Sequence, residues 1–538
     1  MPGPNLRMAA TDWERLRKHC APSFRGRRDT EGGAIGLLGK RCVKNATHEL
    51  IVSEIVWPEA GDVLAKPNRA LTFSSRYMRR AHMAVRKKGL AGLITFHTHP
   101  RADMEVGFSF YDDDQDPLLI ENLQDLWPGT LLCSVVLGKS SQQGRLWISP
   151  REQAALARLV TVGKSLRYLP LDGRPPKPAP IASEIFDRAS AVTGSGALAI
   201  LARRTVAVVG ASGTGSLICE LLARAGCRRI LVIDHDIVKL ANLNRILYTT
   251  KEDAELRRPK TEVLKRGIEN LGLGCEVVSI VGSILDDNVM RRLNEADVVF
   301  GCVDKDYPRI LLCKYAYQHL IPYIDVGAEI GGDAEGIVST DARMNYVAPG
   351  RWCLRCTGLV NARRLAFESL TTAERKRKIA LGYSDDLLLK QPAVMDLNMR
   401  AASTGMMLLR HLLQPFLLEP VPATLAENLV TYNMKPIASA RCHDDACDIC
   451  RVNAQTGFGD CGEPIGLPSD VAAALVSAED DDGERMGDSC GVPVTGTRVK
   501  SHPSGTDQNL SKVPWWQEIA SLPVSVFLRL WNAIGLKK

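Results

Sequence analysis

Residues 203–236 read RRTVAVVGASGTGSLICELLARAGCRRILVIDHD. The apolar run TVAVV ends in a glycine-rich loop, an amphipathic stretch follows, and a second apolar run, RILVID, closes the unit. That order is strand, loop, helix, strand, and a helix between two strands places them parallel in one sheet. Gly210, Gly213 and Gly215 let the backbone approach a phosphate at the helix N-terminus. Asp234 ends the second strand, 19 residues after Gly215, where an acid can accept from a ribose hydroxyl. A dinucleotide-binding fold offers the same elements, but the glycine spacing here is G-x-x-G-x-G rather than G-x-G-x-x-G.

The next residues separate the two. DHDIVKLANLNRILY covers 234–248, Lys260 sits in RRPKTEVL, and Asp304 in GCVDKDYPR. This set resembles the ThiF/MoeB and ubiquitin-activating-enzyme family over about residues 185–450. The resemblance implies a Rossmann-like adenylating domain. Asp234, followed by Asp236 in the Asp-x-Asp pattern, would hold the ribose, Asn244, Arg245 and Lys260 would surround the ATP phosphates, and Asp304 would hold Mg²⁺. EIFDRASAVTG resembles the family's lead-in segment, whose arginine, here Arg188, reaches the partner subunit's site and implies a homodimer. Such cations and Mg²⁺ suit in-line attack by a carboxylate on the α-phosphate.

Cys353 and Cys356, with Cys447 and Cys450, form two C-x-x-C pairs that together can close a tetrahedral zinc site. The family carries the same structural zinc. Cys442 and His443 are substitute ligands, although the paired spacing favours 447 and 450. No cysteine lies between Cys356 and Cys442, where ubiquitin-activating enzymes carry a nucleophile. Ser384, in GYSDD, is an alternative acceptor in that stretch, without a visible activating base.

Upstream, GLITFHTHP places His97 and His99 directly after a buried strand. Residues i and i+2 of an extended chain face the same way, so both imidazoles can reach one ion. Asp112 offers a third ligand, with Asp113 and Asp114 also available, and three protein ligands leave a position for water. These residues resemble the JAB/JAMM (Mov34/MPN) metallo-isopeptidases over about 12–150. The resemblance implies His97, His99 and Asp112 as zinc ligands, Glu31 from TEGGAIGLLGK as general acid/base, and Ser109 as oxyanion donor. The nine residues between His99 and Ser109 make a longer loop than the family pattern.

The 538 residues are 45% hydrophobic and 24% charged, with a net charge of +7 thinly spread, which favours neither nucleic acid nor a membrane surface as partner. No apolar run is long enough to span a bilayer, no leader resembles a signal peptide, and two C-x-x-C pairs point to reduced thiols in the cytoplasm. The expected fold class is α/β: a JAB/MPN-like domain at 1–150, a Pro-rich linker at 151–184, the ThiF-type domain at 185–451, a disordered linker at 452–512, and an amphipathic helix at 513–538. SRYMRRAHMAVRKK reads as an amphipathic helix between two buried strands. Together these imply a bifunctional enzyme of a bacterial ubiquitin-like modifier pathway, which trims or removes a carrier protein and adenylates its C-terminal glycine. A conjugating enzyme is a further expected partner. The alternative is activation and trimming of a ThiS/MoaD-like sulfur carrier.

Overall fold

In this computed structural model the described residues are 3–24, 30–44, 46–64, 71–102, 104–174, 184–333, 336–370, 372–380, 394–417, 421–422, 424–428, 433–437, 447–451 and 454–476. Two mixed sheets, each with helices against it, meet along a polar seam.

The first sheet has nine strands in the order β11-β10-β1-β3-β2-β6-β7-β8-β9. They are β1 (Asn5–Ala9), β2 (Gly33–Val43), β3 (Ala46–Val56), β6 (Gly92–Thr98), β7 (Leu131–Leu137), β8 (Gln142–Ser149), β9 (Glu152–Ala155), β10 (Arg158–Val162) and β11 (Leu166–Pro170). A separate hairpin joins β4 (Val63–Leu64) and β5 (Thr72–Phe73). Helix α1 (Ala10–Cys20) packs near β1, and α2 (Ser75–Lys88) and α3 (Phe110–Leu126) lie on the face made by Ile35, Leu37, Leu93, Leu132 and Trp147. Every residue of β6 is buried, which is why GLITF reads as a continuous apolar run.

The second sheet runs β14-β13-β12-β15-β16-β17-β18-β19. Its strands are β12 (Thr205–Val209), β13 (Arg229–Asp234), β14 (Glu276–Val281), β15 (Val298–Gly301), β16 (Tyr323–Asp333), β17 (Gly336–Val347), β18 (Thr424–Asn428) and β19 (Asn433–Ile437). The first five are parallel and the rest antiparallel. Its helices are α4 (Asp187–Leu201), α5 (Gly213–Arg224), α6 (Lys251–Glu255), α7 (Lys260–Glu269), α8 (Asp287–Met290), α9 (Asp306–Gln318), α10 (Ala362–Glu368), α11 (Thr372–Ala380) and α12 (Met395–Leu413). Alternating residues feed the two faces. Val206, Val208, Ile230 and Val232 pack with α5 and α12, whereas Ala207, Val209, Leu231 and Ile233 pack with α9.

Two expected boundaries fail. Residues 151–184 are not a linker through their length, because β9, β10 and β11 complete the first sheet and β10 pairs in parallel with β1. Leu159, Val160 and Val162 are buried there, and the prolines that suggested a linker cluster only after the strands. Residues 452–512 are not disordered throughout either. Residues 454–467 thread between the sheets, and 469–476 are helical. The backbone of this strap is satisfied from both sides: Asp460 N donates to Lys40 O at 2.7 Å, and Gly457 N and Gly459 N donate to Tyr317 O and Gln318 O at 3.0 and 2.8 Å. Asp460 also accepts from Cys42 N (2.6 Å) and from Asn294 Nδ2. The expected tail helix at 513–538 lies outside the described residues.

The seam carries a fully buried ion cluster. Arg7 of β1 makes a bidentate pair with Glu49 of β3 (2.8 and 3.1 Å) and donates to Leu320 O across the seam at 3.2 Å. Arg41 also pairs with Glu49. The two sheets are therefore joined by desolvated, directional bonds as well as by apolar contact.

Candidate functional sites

At the nucleotide site, β12 delivers the chain to Gly210, whose φ of +96° is open to glycine at no steric cost. A Cβ there would lie 2.5 Å from Cys302 O, and one on Gly215 would lie 1.8 Å from Gly210 O. Gly215 thus also allows close packing of α5 against the loop. Gly213 opens α5, and a Cβ on it would meet Asn398 Nδ2 at 2.4 Å. Asn398, on α12, escaped sequence reasoning because nothing local marks it. It holds Thr214 Oγ1 at 3.2 Å.

Asp234 ties the loop to the strand end: Ala211 N donates to Oδ2 at 2.6 Å and Asp236 N to Oδ1 at 2.8 Å. Lys260 Nζ, at the first turn of α7, donates to Asp236 Oδ2 at 2.5 Å. Burial pushes the Asp234 carboxyl above the usual range. It pushes Asp236 the same way, but the Lys260 ammonium prevails and lowers that carboxyl. Arg245 donates to Ala241 O (2.6 Å) and Asn244 Oδ1 (3.2 Å), and its aliphatic stem approaches Gly213. Asp304 stands exposed three residues beyond β15. Gly210, Asp234 and Asp304 therefore share the C-terminal end of the parallel strands, where α/β sheets bind ligands. Arg188 is exposed in the first turn of α4.

The four cysteines come together from two chain segments. Cys353 and Cys447 Sγ are 3.7 Å apart, and Cys356 and Cys450 Sγ are 3.6 Å apart. A tetrahedral zinc with bonds of ~2.3 Å has sulfur–sulfur edges of ~3.8 Å, so this donor set fits that ion. Ser384, Cys442 and His443 lie outside the described residues.

In the first sheet, β6 ends at Thr98, leaving His97 on the last pleats and His99 just beyond. His99 N still donates to Leu137 O (2.9 Å), so both imidazoles share a side with ring centroids 5.1 Å apart. Thr98 faces the other way, is buried, and accepts from Gly32 N at 2.9 Å, which draws Glu31 to the site. Glu31 Oε2 accepts from Leu71 N at 2.9 Å, and Oε1 lies 3.9 Å from His99 Nε2.

Asp112 arrives from α3. Ser109 is the N-cap of that helix, with a reciprocal capping box to Asp112: Ser109 N and Oγ both donate to Oδ2 at 2.7 Å. Asp112 then reaches His97 Nε2 at 3.2 Å and His99 Nε2 at 3.5 Å, and one ligand atom of each residue lies within 4.8 Å of the others. Burial opposes ionisation of Asp112, yet the two imidazoles and Ser109 hold its carboxyl well below the usual range. His97 Nε2 is buried and makes no aligned hydrogen bond, an orphaned donor set that suits a divalent ion. Asp113 is turned away and pairs with Arg145 of β8. That arginine stacks under Phe108 at 3.8 Å and bonds Asp116 at 2.9 Å, bracing the start of α3. The sequence showed no sign of this brace.

Residues 186–452 match the model of the ThiF family. A tRNA threonylcarbamoyladenosine dehydratase of Bacillus subtilis is 37% identical over 140 residues, covering 26% of this chain and 54% of that protein. The B. subtilis sulfur carrier protein ThiS adenylyltransferase is 26% identical over 150 residues, 28% of this chain and 42% of that one. The tRNA threonylcarbamoyladenosine dehydratase 2 of Saccharomyces cerevisiae is 32% identical over 137 residues, 25% of this chain and 30% of that one. The chain thus spans between about a third and a half of the length of these curated relatives. A crystal structure of Escherichia coli MccB covers 52% of this chain and 75% of its own, at 21% identity and a TM-score of 0.40. No helix among the described residues is long and apolar enough to cross a membrane. With its Rossmann-like parallel sheet, glycine loop and paired aspartates, the segment 186–452 is a ThiF-family domain.

Proposed function

We propose that the ThiF-family domain uses ATP to adenylate the C-terminal carboxylate of a ubiquitin-like protein, and that the N-terminal half hydrolyses peptide or isopeptide bonds made by the same terminus. The observation that carries the first activity is the Asp234 carboxylate bonded to the glycine loop, with Lys260 on Asp236 beside it. Those bonds pre-shape a phosphate cradle, so little reorganisation remains when the nucleotide arrives. Lys260, Arg245 and Asn244 supply positive charge and donors for the phosphates, and Asp304 supplies the carboxylate for Mg²⁺. Charge neutralisation by that ion favours departure of pyrophosphate. Arg188 of a second copy completes the site in this reading, which makes the working unit a homodimer.

For the second activity, His97, His99 and Asp112 would hold zinc, which when bound activates water near neutral pH. Glu31, pinned through one oxygen by Leu71 N, keeps the other free to take and return a proton. Ser109 donates to Asp112 in this state, so stabilising an oxyanion requires its hydroxyl to turn. Cys353, Cys356, Cys447 and Cys450 would hold a second, structural zinc.

Similarity to a ThiS adenylyltransferase favours a sulfur carrier as the second reading. ATP–pyrophosphate exchange measured with a panel of purified ubiquitin-like and ThiS-like proteins ending in Gly-Gly separates the two. Carriers extended by a short C-terminal peptide test trimming in the same tubes, with His97→Ala as control. No exchange with any carrier sinks the adenylation reading, and trimming that survives His97→Ala sinks the zinc reading.

A further inference from the structure

The loop bearing Asp304 has an unusual anchor. α9 begins two residues after Asp304, and its first N–H groups have no partners inside the helix. Glu368, the last residue of α10, takes two of them: Asp306 N donates to Oε1 at 3.2 Å and Tyr307 N donates to Oε2 at 2.7 Å. Its side chain is nearly buried, at 11% exposure. One turn earlier Arg364 stands 3.5 Å from Glu368 Oε1 and donates to Asp304 O at 3.2 Å. Asn361, the N-cap of α10, donates its N–H to Asp306 Oδ2 at 2.9 Å. Arg375 of α11 fixes the far side by donating to Glu368 O at 2.7 Å.

We infer that Glu368 and Arg364 are positioning residues for Asp304, and that α10 fastens the metal-binding loop of the nucleotide site to the cysteine cluster. The inference rests on the adenylation reading for the role of Asp304. Its geometry runs unbroken: α10 begins six residues after Cys356, and it holds both the backbone oxygen of Asp304 and the helix that follows it. Burial pushes the Glu368 carboxyl up to about 7, so the hold on the 13-residue helix is carried by its directional hydrogen bonds, with the helix dipole adding to it only when the group is ionised. Neither residue touches the nucleotide cradle around Gly210. Removing them therefore weakens use of the metal and leaves the cradle intact.

The experiment uses the full chain with ATP and Mg²⁺ alone, with no carrier. Isothermal titration of ATP across a Mg²⁺ series is run for the wild type, Glu368→Ala, Glu368→Gln and Arg364→Ala. Glu368→Ala should raise the Mg²⁺ concentration for half-maximal ATP binding roughly tenfold, with metal-free ATP binding unchanged. Glu368→Gln keeps one acceptor oxygen and sets its amide NH2 against the second backbone N–H, so it should recover only part of the loss. In parallel, hydrogen exchange without nucleotide should show the Asp306 and Tyr307 amides exchanging at least several-fold faster in Glu368→Ala, with those of 206–209 unaltered.

Equal Mg²⁺ dependence in all variants, or faster exchange spread evenly over the domain, overturns the proposal. If Glu368→Ala does not fold, Arg364→Ala, changed at a half-buried side chain, decides by the same two readouts. Failure of the wild type to bind MgATP would overturn the adenylation reading instead, while the exchange measurement would still judge the anchoring of the loop.

Discussion

The ring of Tyr248 occupies the space directly over Gly267, where a Cβ would stand 2.1 Å from its Cγ. Tyr248 has a φ of +66°, a conformation that L residues rarely adopt, and its hydroxyl is bonded to Glu220. It ends the turn that carries Asn244 and Arg245. Gly267→Ala should therefore push this turn away from α5 and α7. We expect a loss of roughly 1–3 kcal/mol, as for other overpacked sites, together with weaker ATP binding. Thermal unfolding and nucleotide titration check it, and a variant with unchanged values of both would show that the turn is not held by this contact.

Metal content should report both clusters separately. The purified chain is expected to hold about two zinc ions, one in each half. Cys353→Ser should remove one ion and lower the unfolding temperature, because a structural zinc contributes directly to folding. His97→Ala should remove the other and leave ATP binding intact. Elemental analysis giving one ion in the wild type, unchanged by His97→Ala, would show that the histidine cluster holds no zinc.

Asp304→Ala should abolish carrier-dependent ATP–pyrophosphate exchange, and Lys260→Ala should reduce it by more than tenfold. The substitution would remove the phosphate contact proposed for Lys260 and also the ammonium that pairs with Asp236. Exchange at the full rate in Asp304→Ala would remove the metal role assigned to that residue.

Acid should loosen the seam in a defined window. Burial works against ionisation of Glu49, but Arg41 and Arg7 prevail and hold its carboxyl at about 2, against an ordinary 4.5. A depressed carboxylate stabilises the folded state above the ordinary value, and that contribution is lost as pH falls from about 4.5 to about 2. Glu49→Gln removes the counter-charge shared by two buried guanidiniums, leaving Arg7 only Asp297 at 4.0 Å among the described residues, and should cost roughly 3–5 kcal/mol at neutral pH. Its unfolding temperature should also fall less steeply than that of the wild type through that window. Parallel curves would mean that Glu49 does not govern acid stability.

Some of this was legible in the chain. SRYMRRAHMAVRKK is α2 to the residue, because Ser74 caps its start and Gly89, at a φ of +65°, ends it. The glycine loop and the shared face of the two histidines were legible from strand period and spacing, whereas Asp112 is singled out by the family resemblance, with Asp113 and Asp114 left open. Other parts left no local trace. β10 and β11 were hidden by the prolines that follow them. The strap is polar and glycine-rich, and its order comes from partners such as Lys40 and Gln318, more than a hundred residues distant. Glu368 bonds backbone N–H groups, which look alike in every sequence. The packing need of Gly215 against Gly210 O left no trace of its own, because spacing does not separate a glycine needed by a neighbouring turn from one needed by a ligand.

Parallel pairing of β1 with β10 sets an order of events at the ribosome. Leu6 meets Leu159 in that ladder, so the first strand of the chain lacks one neighbour until more than 150 residues have emerged. The strap comes later still: Lys40 waits for Gly459 and Asp460. The two halves can each collapse as they leave the tunnel and meet through Arg7 and Leu320, but the strap can close over their seam only after the second C-x-x-C pair has been made. A chain truncated before residue 454 would present uncovered polar backbone along β2 and α9, and so would be a natural client for chaperones and proteases.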